Sequence, residues 1–213
     1  MKFISIFEAQ KDEDSVYYSV TFTKKELIKC GVQGSDDEVD ECYVNMPEFR
    51  KLKELWADTM YLSDFYRENI SYFNTDYWGY ITEEEFIREV IYSSNLIFCE
   101  LEKIFRKGTL SSRLEPLDLE ESSRRSKQKP YKVKSKFGKI SGKFAFRIYG
   151  IRLDDVFVVT GGAIKIVQKM RDARNTRIEL AKMNLVSRKL DNGYVSDKGS
   201  FLDFIISDEN EER

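Results

Sequence analysis

The spacing of apolar residues changes once along this chain, and that change restricts the possible fold more than any other feature of the sequence. Between residues 47 and 107 the apolar positions recur every three or four residues, which is typical of amphipathic helices. From Tyr131 to Ile166 they alternate instead, in the runs YKVKSKF, FAFRIYGI and DVFVVTGGAIKI. Alternation predicts strands with one buried face, joined here by short turns at Gly138/Ser141-Gly142 and Asp154-Asp155. The fold class is therefore predicted to be α+β, with helices followed by a small antiparallel sheet.

Local signals predict where the other elements begin. Two further alternating runs, KFISIF and VYYSVTF, predict a pair of strands at the N-terminus. Thr23 with Glu26, and Thr82 with Glu85, have the spacing of capping boxes, which start helices. Pro47 is expected to start a helix that runs to about residue 67. A last helix is expected to start at Asn175 and Thr176 and to stop at Asp191-Asn192-Gly193.

These elements suggest a division of the 213 residues. We predict an acidic N-terminal region, 1–108, with a β-hairpin and helices, and a basic linker or loop, 109–130. A sheet with a C-terminal helix is expected over 131–206, with the helix at 82–107 packed on it. Residues 207–213 (SDENEER) are expected to be a disordered tail.

Charge is unevenly distributed along the chain. The segment Ser122 to Leu153 contains eleven Lys or Arg residues and no Asp or Glu, whereas residues 1–108 contain 22 acidic and 13 basic residues. On a strand, Lys132, Lys134 and Lys136 would all lie on one face of the sheet. Such a surface favours binding of a polyanion, and we expect RNA. The alternative is a solvated strand face on which lysine prevents aggregation.

Composition excludes several classes of active site. The chain contains no histidine, so serine-type triads, papain-like cysteine sites and His-ligated metal sites are ruled out. The three cysteines are far apart and form no C-x-x-C pair, so neither a zinc site nor a disulfide framework is predicted. We expect no cofactor and no metal. No apolar run is long enough to cross a bilayer, and a cytoplasmic location is expected.

One part of the sequence is similar to a known family. Arg147 and Tyr149 on one strand precede the Asp154-Asp155 turn, the apolar run Val156 to Thr160, and Gly161-Gly162-Ala163-Ile164-Lys165; Lys169 and Thr176 to Glu179 follow. This order resembles the C-terminal half of RelE/HigB-type toxins of bacterial toxin–antitoxin pairs. Arg113 to Leu117 and Leu96 to Arg106 resemble the preceding part of that family. The likeness covers residues 95 to 190.

The resemblance implies a RelE-like fold and a function. RelE/HigB toxins are endoribonucleases (mRNA interferases) that cleave messenger RNA on the ribosome without a metal, through attack of a substrate 2′-hydroxyl on the neighbouring phosphate. Arg147 and Lys165 are then expected to stabilise the transition state, and Tyr149 or Lys139 to transfer protons. Expected RNA contacts are Lys132, Lys134, Lys136, Lys143, Arg152, Lys169 and Arg171. The expected partners are mRNA, the ribosome and a small antitoxin with a helix-turn-helix.

Other interpretations remain open at the level of sequence. Tyr149 could be an ordinary sheet aromatic, and Lys165 a solvated strand end. The whole chain could be a noncatalytic RNA-binding or protein-interaction module of the same fold, derived from a mobile element. Gly161-Gly162 lacks the spacing of a phosphate-binding loop and is expected to be a bulge or turn.

Overall fold

Six strands form one open sheet in the computed structural model, which describes residues 1–6, 16–32, 43–107, 113–117, 130–167 and 169–211. Their order across the sheet is β1-β2-β6-β5-β4-β3. All neighbouring pairs are antiparallel except β2 and β6, which run parallel. The bounds are β1 Lys2–Ser5, β2 Val16–Thr21, β3 Glu115–Pro116, β4 Tyr131–Ile140, β5 Lys143–Leu153 and β6 Val156–Ile164.

Seven helices are found in the described residues, and they cover both faces of this sheet. The bounds are α1 Lys24–Lys29, α2 Glu48–Leu55, α3 Thr59–Glu68, α4 Ile70–Phe73, α5 Glu83–Arg106, α6 Arg174–Asn192 and α7 Lys198–Glu211. Buried residues of α2 to α5 form one core with the sheet, and those of α1, α6 and α7 form a second core on the opposite face. The α+β fold class is confirmed. The N-terminal strands are hydrogen-bonded into the same sheet as β4, β5 and β6.

The β4–β5 hairpin shows why the alternating runs form strands. Tyr131, Val133 and Phe137 are buried among the helices of the first core, while the lysines between them face the other way. Ser141 and Gly142 have φ of 46° and 73°, so two residues with positive φ make the tight turn that suits the twist of a hairpin. Gly138 lies inside β4 rather than in that turn. A Cβ there would come within 2.6 Å of Ile97 Cδ1 on α5.

Capping hydrogen bonds set the starts of α1 and α5 as predicted, and another capping residue separates α2 from α3, which were predicted to be one helix. Both capping boxes are confirmed, at the starts of α1 and α5. The single helix predicted from residue 47 to about 67 is wrong. Asp58 Oδ1 accepts hydrogen bonds from the backbone N–H groups of Met60 and Tyr61, at 2.8 and 3.3 Å, and so starts α3 as a separate helix. The last predicted helix begins at Arg174, and α7 extends to Glu211, past the start of the tail expected to be disordered.

Candidate functional site

Three lysines line one face of β4, as the alternation predicted. Lys132 and Lys134 are half-buried and Lys136 is exposed. Lys134 lies opposite Tyr149 on β5, and Lys136 lies opposite Arg147. Lys136 Nζ forms an ion pair with Glu115 at 2.9 Å. The lysines of β4 and the arginine of β5 therefore lie on the same face of the sheet.

An open cleft of about 590 Å³ adjoins this surface at the end of the sheet where β6 stops. Two residues predicted to be catalytic, Arg147 and Lys165, both line it. The other lining residues come from α4 and the segment between α4 and α5, from β5, and from the connection between β6 and α6: Tyr72, Thr75, Tyr77, Trp78, Phe144, Ile166, Val167 and Asp172. Three separate parts of the chain thus meet at the cleft.

The cations of the cleft are close enough to affect each other. Arg147 is only 8% exposed, and its Nη1 donates a hydrogen bond to the carbonyl of Phe146 at 2.9 Å. Lys165 is half-buried, and its backbone N–H donates to Ala145 at 2.7 Å. Burial lowers the pKa of Lys165, and the positive charges of Arg147, Lys134 and Lys136 lower it further. Burial also lowers the pKa of Arg147. These four side chains form the cationic surface discussed below.

Exposed aromatic rings lie at the rim of the cleft. Tyr77 is 61% exposed and Phe144 is 55% exposed. The ammonium group of Lys143 lies 5.1 Å from the centre of the Tyr77 ring, and that of Lys139 lies 4.9 Å from the centre of the Phe144 ring. Sequence alone indicates an aromatic-rich segment around Tyr77, either a partner surface or core packing, but it does not connect Tyr77 with Phe144, because the two residues are far apart in the chain and only the fold brings them together. Sequence reasoning missed Asp172, the acidic residue among the described residues that line the cleft.

The other two residues predicted to be catalytic lie outside the cleft lining. Tyr149 is 1% exposed and belongs to the core beneath α6, where burial and the Glu179 carboxylate raise its pKa. Its hydroxyl is buried and cannot reach a substrate in this structure. Tyr149 therefore occupies the position of an ordinary buried aromatic of the sheet. Lys139 is exposed at the rim, over Phe144.

The remaining predicted RNA contacts lie in more than one part of the molecule. Lys143 is exposed beside the cleft, and Lys169 and Arg171 are exposed on the connection between β6 and α6. Arg152 lies at the opposite end of β5, where its Nε donates to the carbonyl of Asp154 at 3.0 Å. The predicted linker or loop 109–130 also contains Arg124, Arg125, Lys127 and Lys129, and these four residues lie outside the described residues.

A second group of charges is buried near β6 and includes residues of both α2 and α6. Pairing of β2 with β6 ends at Ser19 and Val159, although both strands continue. Beyond this point Lys182 Nζ lies 2.8 Å from both Glu48 and Glu179, and all three side chains are almost completely buried. The two carboxylates raise the pKa of Lys182 in spite of its burial. Burial and Glu48 raise the pKa of Glu179 to about 7, although Lys182 opposes the shift.

This buried charged cluster (Glu48, Glu179 and Lys182) is tightly enclosed. A Cβ added to Gly161 would fall 1.8 Å from Glu179 Oε2, and the φ of 152° at Gly161 also suits glycine. Gly161 directly follows Thr160, the residue that the β5–β6 register leaves unpaired as a bulge, so the predicted bulge at this glycine pair is present. The cluster is closed to solvent, which makes it part of the folded core rather than a site for a ligand.

The described residues hold no group of three or more Cys, Asp or Glu placed to bind a metal ion. Among the described helices, none combines the length and the apolar character needed to cross a membrane. Comparisons with protein-family models, with curated proteins and with solved structures find no match to this chain.

Proposed function

We propose that this protein binds RNA with the cationic surface formed by Lys134, Lys136, Arg147 and Lys165. The observation that carries the proposal is the convergence of these four cations, from β4, β5 and the end of β6, beside an open cleft. The choice of RNA among polyanions rests on the resemblance to RelE/HigB-type toxins.

Electrostatics supports the proposal because grouped like charges oppose folding. The lowered pKa of Lys165 means that its surroundings disfavour the ammonium form. An RNA phosphate at this position would supply the missing negative charge and release counterions from the RNA. Of the four cations, Lys136 is paired with Glu115, whereas Lys165 has a lowered pKa and lies beside open space, which suits binding of an external anion.

Salt dependence of binding tests the proposal. We expect affinity for a fluorescent unstructured RNA, measured by anisotropy, to fall steeply with salt, with a slope of about −0.7 in log K against log[salt] for each phosphate contacted. Lys134→Gln should weaken binding and reduce that slope by about 0.7. Lys25→Gln, which removes an exposed lysine of α1, is the matched control and should change neither. Absence of salt-dependent binding by the wild type would refute the proposal.

A second candidate function goes further: a ribosome-dependent mRNA endoribonuclease, the toxin of a toxin–antitoxin pair in the cytoplasm. The presence of Arg147, Lys165 and Asp172 in one cleft favours it. In this reaction a 2′-oxygen attacks the adjacent phosphorus and the bond to the 5′-oxygen breaks, leaving a 2′,3′-cyclic phosphate and a 5′-hydroxyl. Asp172 would take the proton of the 2′-hydroxyl, Lys165 would give one to the leaving 5′-oxygen, and Arg147 would stabilise the charged phosphorane.

Expression of the protein in a bacterial host tests the second candidate. The wild type should arrest growth and deplete mRNA, and Arg147→Ala combined with Lys165→Ala should relieve both effects. Asp172→Asn should slow cleavage without weakening RNA binding, because the substitution removes a negative charge from the cleft. Co-expression of a small helix-turn-helix protein encoded beside this gene should also relieve arrest, since an antitoxin would cover the cationic surface. If the wild type causes neither arrest nor mRNA loss, the protein is an RNA-binding module without this activity.

A further inference from the structure

Two large aromatic rings at the rim of the cleft, Tyr77 and Phe144, are more than half exposed. Phe73 and Trp78, in the same segment as Tyr77, are 0% and 3% exposed, so that segment does place rings in the core. Tyr77 and Phe144 instead face solvent with most of their surface. Exposed rings at the edge of a cationic cleft are the combination with which proteins hold unstacked nucleobases.

A hydrogen-bonded turn holds Tyr77 in this exposed position. The carbonyl of Thr75 accepts from the backbone N–H groups of Trp78 and Gly79 at 3.0 Å each, and from that of Tyr80 at 3.3 Å. Gly79 and Tyr80 both have positive φ, 69° and 53°, which closes the turn. The ring of Trp78 packs edge-on against Tyr77, with 5.3 Å between their centres. The hydrogen-bonded turn therefore constrains the backbone of Tyr77, and the Trp78 ring packs against the Tyr77 ring.

We infer that the cleft holds one unpaired nucleotide of the bound RNA, with its phosphate at Arg147 and Lys165 and its base against Tyr77 and Phe144. This inference rests on the proposed RNA binding and adds the form of RNA that is recognised. The cleft of about 590 Å³ is open on one side, so a strand can enter it and leave it. A base within a duplex is stacked and paired, and its faces cannot reach either ring.

Two lysines at the rim have a role in the same arrangement. Lys143 and Lys139 now place their ammonium groups over the rings of Tyr77 and Phe144. A base that stacks on those ring faces displaces the ammonium groups, which then pair with the phosphates on either side of the bound nucleotide. The rings and their lysines thus bind one nucleotide and its two neighbours.

Removal of the rings tests the inference with the full chain. An unstructured RNA 12-mer and a duplex of the same sequence are compared by anisotropy at fixed salt. Tyr77→Ala combined with Phe144→Ala should weaken binding of the single strand by about fivefold to 100-fold, as expected for loss of base stacking, while affinity for the duplex stays constant. Tyr77→Phe, which keeps the ring, should bind like the wild type. Tyr92→Ala removes another exposed tyrosine, 69% exposed on α5 and outside the cleft, and should have no effect.

The outcomes separate this inference from the proposed function. Equal affinity of the double-alanine variant and the wild type for the single strand, with Lys134→Gln still weakening binding, would overturn the nucleotide site and leave RNA binding intact. An equal loss for single strand and duplex would also overturn it, because the rings would then support the surface rather than stack on a base. Failure of the wild type to bind either RNA would overturn both.

Discussion

Lys165 is half-buried and Lys182 is buried, and the charged groups around the two lysines have opposite sign. Lys182 lies between the carboxylates of Glu48 and Glu179, which raise its pKa, and its side chain is 4% exposed. Lys165 lies beside Arg147, Lys134 and Lys136, which add to the effect of burial and lower its pKa. The protein thus neutralises one lysine internally and leaves the other without a comparable carboxylate partner among the described residues.

The difference separates a structural charge from one that is available for binding. A buried charge must be paired, because removal from water costs several kcal/mol for each ion, on the order of the whole stability of a domain. Lys182 meets this requirement within the fold. Lys165 remains partly solvated at an open cleft, so its charge does not need a partner within the protein. A bound ligand can supply the opposite charge. The following experiments test whether the two lysines differ in this way.

The largest effect is expected from Lys182→Met. This substitution leaves Glu48 and Glu179 buried together without their counterion, and the free energy of unfolding should fall by about 3–5 kcal/mol. Urea denaturation measures the loss. Lys136→Met is the control, because it breaks a largely exposed pair with Glu115 and should cost about 1 kcal/mol or less. A loss of that smaller size for Lys182→Met would mean that the buried charged cluster relaxes or admits water.

The pH dependence of stability should come second in size. The pKa of Glu179 is raised in the folded protein from 4.5 to about 7, so the folded state binds its proton more tightly than the unfolded state. The stabilisation is complete below about pH 4.5 and is lost as pH rises through about 7, where the free energy of unfolding should have fallen by about 2–3 kcal/mol. The charges facing Glu179 are Lys182, Glu48 and Lys51; Glu48 adds to the upward pKa shift and both lysines oppose it.

Glu179→Gln isolates this effect. The variant should lose the fall in stability between pH 4.5 and 7, measured by urea denaturation at several pH values. A wild type whose stability does not change across this range would show that Lys182 keeps Glu179 ionised throughout.

The smallest effect on stability is expected from Lys165→Gln. Because the neighbouring cations disfavour its charged form, neutralisation should raise the free energy of unfolding slightly, by about 0.5 kcal/mol or less. The same variant should bind RNA more weakly, with a lower salt slope. If Lys165→Gln instead destabilises the fold by as much as Lys182→Met, the two lysines do not differ as described.

Local parts of the fold could be predicted from sequence, because their causes are local. The capping boxes of Thr23 and Thr82 depend on residues three positions apart, and the lysine face of β4 depends on alternation within seven residues. Pairing of β2 with β6 could not be predicted, because alternation identifies a strand but not its neighbour. The α+β class could be predicted from the order of helical and alternating apolar spacings along the chain. That all six strands join into one sheet could not be predicted from this order.

For the candidate site too, only residues that lie close together in the sequence could be predicted. Arg147 and Lys165 were identified from a short stretch of sequence, and both line the cleft. Tyr77 and Asp172 have no sequence signal that connects them to this stretch. Glu179 fits a capping pattern with Thr176, yet its carboxylate pairs with Lys182, which in turn binds Glu48 from a position 134 residues earlier in the chain. Contacts at such separations depend on the complete fold.

The parallel pairing of Val16 with Val156 has a consequence for synthesis of the protein. A ribosome makes β2 long before it makes β6, and the two strands cannot pair until most of the chain has emerged. During this interval one edge of β2 has no neighbour, and an open strand edge can pair with another chain. Contacts between distant residues also slow folding. We therefore expect nascent chains that stop before β6 to be prone to aggregation, and the sheet to close only after β6 has been made.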